Sequence, residues 1–380
     1  MKTDAEIRPL TGARPLFPEE DLPAILDRIA QVLRSGRLIL GPFTRELEED
    51  WAKRIGTAHA VALSSCTAAL EIGFRHANVA GREVIVPANT FVATANAALA
   101  AGAAIRFAET DPADFCLDVD HALSLVGPRT AAVVAVHVAG FVPHAFAQLR
   151  AACRERGVAL IEDCAHAHGA MLGGVHAGAL GDVGCFSLYP TKILTSGVGG
   201  LLTTDSAELA AFARSLRHHG AGASLEAIEL SGNDWMMDEV RAVLALSQLA
   251  RLDDFLARRR AIAARYDALL ATDRRVTRAR IGEGTRPAYY KYPVLLAEGI
   301  DRDAVRRELA GIGVEAGALY SPPCHLMPVF AGLPGAGRGQ LPRSEALLAR
   351  QLCLPMHAAM SVPDADRAVS ALDQALRRCA

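Results

Sequence analysis

Short apolar runs alternate with stretches of helical period along most of the first 220 residues. Pro23 to Arg37 reads as an amphipathic helix ending near Gly36. Gly41 to Phe43 is a turn, and Thr44 is a candidate N-cap for a helix running to Ile55. Strand candidates follow at His59–Leu63, Glu83–Val86, Ala104–Phe107, Thr130–Val138 and Val158–Ile161. Helical patterns separate most of them, at Ser65–His76, Thr94–Ala101 and Phe146–Arg156. This alternation predicts parallel β-α-β units with helices on both faces of the sheet.

Beyond Asp182 the pattern changes. Two strand candidates, Cys185–Leu188 and Gly200–Thr204, lie close together and precede a helix at Glu208–Arg217. Asp238 to Leu270 reads as a long, bent helical connector. Past it come a strand at Tyr289–Leu295, a helix at Asp301–Leu309 and a last helix from Pro363. The expected fold class is α/β, with a mostly parallel sheet between helices in a large domain, residues 1–255, that carries an N-terminal arm. A smaller C-terminal α/β domain is expected over residues 256–380.

Composition narrows the function classes. A chain of 380 residues, 51% hydrophobic, can bury a sizeable core. A formal net charge of −2 without a basic block argues against nucleic acid. The eight cysteines include no C-x-x-C pair, which argues against a zinc ribbon and points to a reducing compartment. The first ten residues hold no apolar segment of the secretory kind, and no run of about 18 apolar residues exists to span a membrane. A cytoplasmic protein that binds no membrane is expected.

Three stretches sit where ligands of open α/β sheets gather, at strand ends. Ser64 to Leu70 (S-S-C-T-A-A-L) opens a helix, whose first amides lack intrahelical partners and suit a phosphate. Thr67 can add a hydroxyl donor. Ile161 to Ala170 (I-E-D-C-A-H-A-H-G-A) places Asp163 at a strand exit, where a carboxylate can pair with a protonated pyridine nitrogen. His166 reads as a neighbour of such a ring and His168 as structural; no metal site is expected, because no complementary ligand cluster accompanies them. Cys185 to Lys192 (C-F-S-L-Y-P-T-K) puts a lysine among apolar residues, where desolvation lowers its proton affinity. Ser187 can donate to a phosphate. Each stretch alone is an ordinary cap, turn or surface lysine. Together they describe what pyridoxal 5'-phosphate needs: an amine, a carboxylate for the ring nitrogen and a phosphate cradle.

The ordered set S-S-C-T-A-A-L, V-P-A-N-T-F-V-A-T, E-D-C-A-H-A-H-G-A and F-S-L-Y-P-T-K resembles the DegT/DnrJ/EryC1/StrS aminotransferases. L-G-P-F-T-R-E-L-E upstream, G-N-D-W-M-M-D-E-V-R-A downstream, and S-P-P-C-H-L-M-P-V-F and C-L-P-M-H near the C-terminus extend the likeness over residues 20–375. The resemblance implies fold type I of pyridoxal-phosphate enzymes and a homodimer with active sites at the subunit interface. It implies amino transfer from glutamate or glutamine to a keto-sugar, usually a nucleotide-linked 3-keto- or 4-keto-deoxysugar. It gives Lys192 the imine with the cofactor and Asp163 the ring nitrogen. Phe91 stacks on the ring, and His166 stands where the family often has glutamine. Cys66, Thr67 and Ser187 surround the phosphate, with Asn233 reaching it from the partner subunit. Tyr320 and His325 match a segment near the sugar.

The chain departs from the family pattern in three places. Cys66 stands where glycine is common, Val198 where G-E-G-G has glutamate, and Met236 where arginine is frequent. These changes bear on substrate choice more than on the cofactor. The 220–232 segment and the 331–343 loop are where that selectivity is expected. Related dehydratases replace the imine lysine with histidine, so Lys192 favours transamination. The alternatives are amination of a cyclitol or another cyclic ketone, or a non-catalytic regulatory protein that binds pyridoxal phosphate.

Overall fold

The computed structural model describes residues 9–222 and 226–379. The first eight residues of the N-terminal stretch and the middle of the 220–232 segment lie outside the described residues.

The chain opens with α1 (Leu22–Ser35), closed by Gly36 at φ 66°, and α2 (Pro42–Ile55). The large sheet and its helices follow in order: β1 (His59–Leu63), α3 (Cys66–His76), β2 (Glu83–Pro87), α4 (Val92–Ala100), β3 (Ala104–Ala108) and α5 (Val119–Leu125). Next come β4 (Thr130–Val136), α6 (Phe146–Arg156) and β5 (Ala159–Asp163). A hairpin of β6 (Met171–Leu172) and β7 (Val175–His176) precedes β8 (Val183–Ser187), β9 (Gly200–Thr204) and α7 (Ala207–Arg217). The seven-stranded sheet runs β1-β9-β8-β5-β4-β2-β3. β9 is antiparallel to both neighbours, while the β8-β5-β4-β2-β3 pairs are parallel. Because β9 reverses twice, β1 points the same way as β8. The carboxyl ends of β1, β2, β4, β5 and β8 therefore form one rim.

The expected connector is two helices, α8 (Glu239–Ala250) and α9 (Leu252–Leu269), broken at Arg251. The chain then forms β10 (Val276–Arg278), β11 (Thr285–Arg286), β12 (Tyr292–Leu296), α10 (Arg302–Gly311), α11 (Pro342–Arg350), β13 (Gln351–Leu354) and α12 (Val362–Cys379). β10, β12 and β13 make a small antiparallel sheet, and β11 adds to the β6–β7 hairpin. Among the described residues there are two large apolar cores and a small cluster of Ile25, Val32 and Val243 between α1 and α8. The larger wraps the seven-stranded sheet, and the smaller joins Ile262 and Tyr266 of α9 to Val294, Leu309, Leu352 and Leu372. Leu10 belongs to the smaller core and is stitched to it by backbone bonds to Gly313 and Glu315, each 2.9 Å.

Thr44 is not the cap of α2. Gly41 holds that position, and the orphan amides of Gly41, Phe43 and Thr44 each donate over 2.9 Å to the carboxylate of Glu239, far along the chain at the start of α8. The Thr44 hydroxyl bonds to it as well. A buried carboxylate thus does the work of a local cap and locks α2 to α8. β12 begins at Tyr292, so Tyr289 to Lys291 precede the strand expected to include them.

Candidate active site

Asp163 is the last residue of β5, its neighbour Glu162 faces the opposite side of the sheet, and the two carboxylates have different surroundings. Glu162 is buried and accepts amide hydrogens from Gly178, Leu180 and Gly181 at 2.7–2.9 Å, with His137 Nε2 at 2.8 Å. Cys164 lies near His137 and Glu162, but these hydrogen bonds already engage both carboxylate oxygens. Asp163 turns towards the rim. Its Oδ2 accepts from the Thr94 hydroxyl at 2.7 Å and its Oδ1 from the amide of Ala165 at 3.1 Å. Thr90 Oγ1 lies 2.7 Å from Thr94 Oγ1, so the carboxylate ends a short hydroxyl chain.

A cavity of about 430 Å³ opens at this point. Asp163, Ala165 and His166 line it from the end of β5, and Ser187, Tyr189, Thr191 and Lys192 from the turn after β8. Ser65, Cys66 and Thr67 line it from the start of α3, and Thr90, Phe91 and Thr94 from the start of α4. Val198 and Gly199 come from the loop before β9, and Tyr290 and Tyr320 from the C-terminal part of the chain.

The phosphate end is built by small residues. Ser65 caps α3, its hydroxyl accepting from Ala68 N at 3.1 Å. The helix start lies against Gly200, where an added Cβ would meet the Ser65 carbonyl carbon at 2.2 Å and Cys66 N at 2.4 Å. Only glycine permits that approach. The Cys66 thiol donates to the Cys185 carbonyl at 3.3 Å. Burial pushes this thiol well above its usual pKa, so it stays protonated.

Lys192 stands across the cavity wall. Burial pushes its amine down to about 8, against the opposing pull of Asp163. Its Nζ sits 4.8 Å from the centre of the Tyr290 ring. His166 is fully enclosed. Burial first, then Lys192 and Lys291, hold it well below the usual imidazole range, so it is neutral at pH 7. Its Nε2 is 3.0 Å from the Tyr320 hydroxyl, and its ring stacks on Tyr290 at 4.1 Å and 19°. Phe91, 56% exposed, leans over the mouth with its ring 5.9 Å from that of Tyr320.

Cys66, Thr67, Phe91, Asp163, His166, Ser187, Lys192 and Tyr320 therefore share one cavity. Asn233, expected at the partner subunit's phosphate, and His325 lie outside this cavity's lining. Asn233 is exposed, and its side-chain oxygen accepts from the Asp234 amide. His325, expected near the sugar, is absent from the cavity lining. It is buried with its ring 6.2 Å from that of Phe107, and its Nε2 reaches Glu345 at 3.3 Å. The Cys324 amide donates to the Ala88 carbonyl and fixes the S-P-P-C-H turn in that position. His168 packs on Trp51 and Phe186, away from the cavity. Thr94 and Tyr290 are cavity residues that the sequence did not single out. Thr94 could have been found from its place in V-P-A-N-T-F-V-A-T.

The DegT/DnrJ/EryC1/StrS aminotransferase family model matches residues 20–373. The chain belongs to this family. It is 35% identical over 342 residues to GDP-perosamine synthase of Caulobacter vibrioides, covering 89% of this chain and 91% of that protein. It is 34% identical over 365 residues to dTDP-3-amino-3,4,6-trideoxy-alpha-D-glucose transaminase of Micromonospora megalomicea, covering 94% of this chain and 96% of that one. The solved PLP-form of Spr1654 from Streptococcus pneumoniae overlays with a TM-score of 0.91 at 26% identity, covering 98% of this chain and 100% of that one. The expected family and fold stand, and the protein is an aminotransferase with pyridoxal phosphate as cofactor. The cavity fits that group: a braced carboxylate, a lysine of lowered proton affinity, an uncovered aromatic face and a helix start opened by Gly200.

Proposed function

We propose that this aminotransferase moves an amino group from glutamate or glutamine to a nucleotide-linked 3-keto- or 4-keto-deoxysugar. The observation that carries the reading is that Lys192 and Asp163 face one cavity, with the unpaired amides of α3 at its edge. The names of the relatives support a sugar joined to a nucleotide.

When bound, pyridoxal phosphate supplies an electron sink for the carbanion at the carbon that gains or loses nitrogen. The residues present supply the rest. Asp163, kept in place by Thr94, would pair with the pyridine nitrogen and stabilise its protonated form. The amides at the start of α3, with Thr67 and Ser187, would hold the phosphate. Phe91 would cover the ring. His166, neutral and tied to Tyr320, would wall the same chamber. Lys192 would anchor the cofactor in the resting enzyme and, when free, would carry the proton. With an amine near 8 it is partly unprotonated at neutral pH, as a base must be.

Phe91, Tyr189 and Val198 leave an apolar mouth, exposed by 56%, 53% and 44%. In a homodimer a second subunit covers this mouth and brings its Asn233 to the phosphate. Among the described residues no helix is long and apolar enough to cross a membrane, and we place the enzyme in the cytoplasm.

The purified protein is expected to be yellow, with borohydride fixing the colour at Lys192, and to aminate one member of a panel of nucleotide-linked keto-sugars. Product mass spectrometry identifies which. Turnover of a cyclitol ketone alone would replace the sugar reading. A coloured protein without single-turnover transfer from either donor would make it a regulator.

A further inference from the structure

We propose that Tyr290 is a positioning residue of this site, its ring forming the resting surface for the free Lys192 amine and the stacking partner that fixes His166. The inference rests on the reading of Lys192 as the amine that is released and recaptured in each cycle.

The geometry around the ring is specific. His166 stacks on it at 4.1 Å, Lys192 Nζ lies 4.8 Å from its centre, and its hydroxyl is 3.1 Å from Thr191 Oγ1, next to Lys192 in the chain. One aromatic residue thus touches the lysine, the neighbour of the lysine and the histidine beside the cofactor. An ammonium group over an aromatic face is held by the ring quadrupole, more strongly where water is excluded. A lysine that leaves its covalent partner needs such a place, or its four-carbon stem swings out of range for the next proton transfer.

The backbone that carries Tyr290 is held from both sides. The amides of Ala288 and Tyr290 donate to the carbonyls of Gly140 and Ala139 at 2.9 and 2.8 Å. Arg259, buried, donates to the carbonyls of Tyr289, Tyr290 and Met356 at 3.1, 3.3 and 3.2 Å. Ala139 and Tyr289 both adopt positive φ, 57° and 49°, and a Cβ on Gly140 would meet His166 O at 2.8 Å. Strained positions of this kind persist where surrounding structure fixes them, and they concentrate at functional sites. Tyr290 is thereby inserted into the large-sheet cavity from the segment that leads into β12.

The test varies the ring while keeping its shape. Wild type, Tyr290→Phe and replacement of Tyr290 by progressively fluorinated phenylalanines are compared. Two measurements are made. The first is the pH midpoint for acylation of Lys192 in cofactor-free protein, read by mass spectrometry. The second is kcat and KM for the amino donor in the holoenzyme. Asp163, Cys66 and His166 act on the amine, and Lys291 Nζ lies 5.3 Å from the same Tyr290 ring; all four are common to all forms. Tyr290→Phe keeps the ring face over the amine, so its acylation midpoint should match wild type and it serves as the reference for the fluorinated series. Fluorination, which drains the ring face of negative charge, should change the ionisation constant of the amine by about 2- to 30-fold towards the neutral form. It should also lower kcat with little change in KM. Equal midpoints across the fluorinated series would overturn the proposal, as would a Tyr290→Phe midpoint displaced as far as those of the fluorinated forms. Failure of wild type to bind pyridoxal phosphate would defeat the proposed function instead, while leaving the acylation comparison readable.

Discussion

Thr94 donates its hydroxyl hydrogen to Asp163 Oδ2 over 2.7 Å, so the helix that starts beside Phe91 braces the carboxylate that ends β5. A hydrogen bond to a charged group contributes about 1.5–3 kcal/mol. Thr94→Val should therefore weaken binding of pyridoxal phosphate by about tenfold or more, while Thr94→Ser stays near wild type. Absorbance titration of cofactor-free protein measures this. Equal affinity in all three forms would mean that Asp163 needs no brace.

Lys192 should set a pH-dependent cost on the cofactor-free fold. Burial lowers its amine from 10.5 to about 8. The folded state therefore disfavours the charged form. Below pH 8 the penalty is present in full; between pH 8 and 10.5 it shrinks, because only the unfolded chain still binds that proton. Cofactor-free Lys192→Met should melt at a higher temperature than wild type at pH 7, and the gap should close by about pH 10.5. A gap that stays constant with pH would attribute the gain to packing instead.

Gly200→Ala should damage the phosphate end selectively. The new methyl would meet backbone atoms of Ser65 and Cys66 at 2.2–2.4 Å, which no rotamer change relieves. The start of α3 must shift. Affinity for inorganic phosphate as well as for the cofactor should fall, read by calorimetry, while the far-ultraviolet spectrum remains native.

Glu239→Ala should destabilise the protein without touching the cavity. The amides of Gly41, Phe43 and Thr44 would lose their acceptor in a buried place. Orphaned buried donors cost about 1–3 kcal/mol each when water cannot reach them. Urea denaturation should show a lower midpoint with the slope unchanged. An unaltered midpoint would mean that water replaces the carboxylate.

The sequence made Asp163 and Lys192 legible because each follows an apolar run short enough to be a buried strand, and strand ends share a rim. It made the connector helix and its bend legible through period and charge. Tyr290 was hidden for a physical reason. In A-Y-Y-K-Y-P its aromatic neighbours read as strand, and strand aromatics usually fill core. The turn that aims it at His166 depends on Ala139 and Gly140, some 150 positions earlier. Thr44 reads locally as a cap, whereas the acceptor of the helix-start amides, Glu239, is distant in sequence. The motif puts His325 near the sugar, whereas Phe107 and Glu345 hold its ring outside the cavity lining. Local patterns reveal elements and the groups they end on; partners brought in by tertiary packing escape them.

The walls of the cavity come from segments spread between Ser65 and Tyr320. A growing chain that has just released Lys192 from the ribosome owns the amine and the carboxylate, yet has no Tyr290 or Tyr320 to shut the chamber. Loops of that length are slow to close. Pigmentation should accordingly lag behind secondary structure during refolding, and a vitamin B6 chromophore would serve as a clock for the last contacts to assemble.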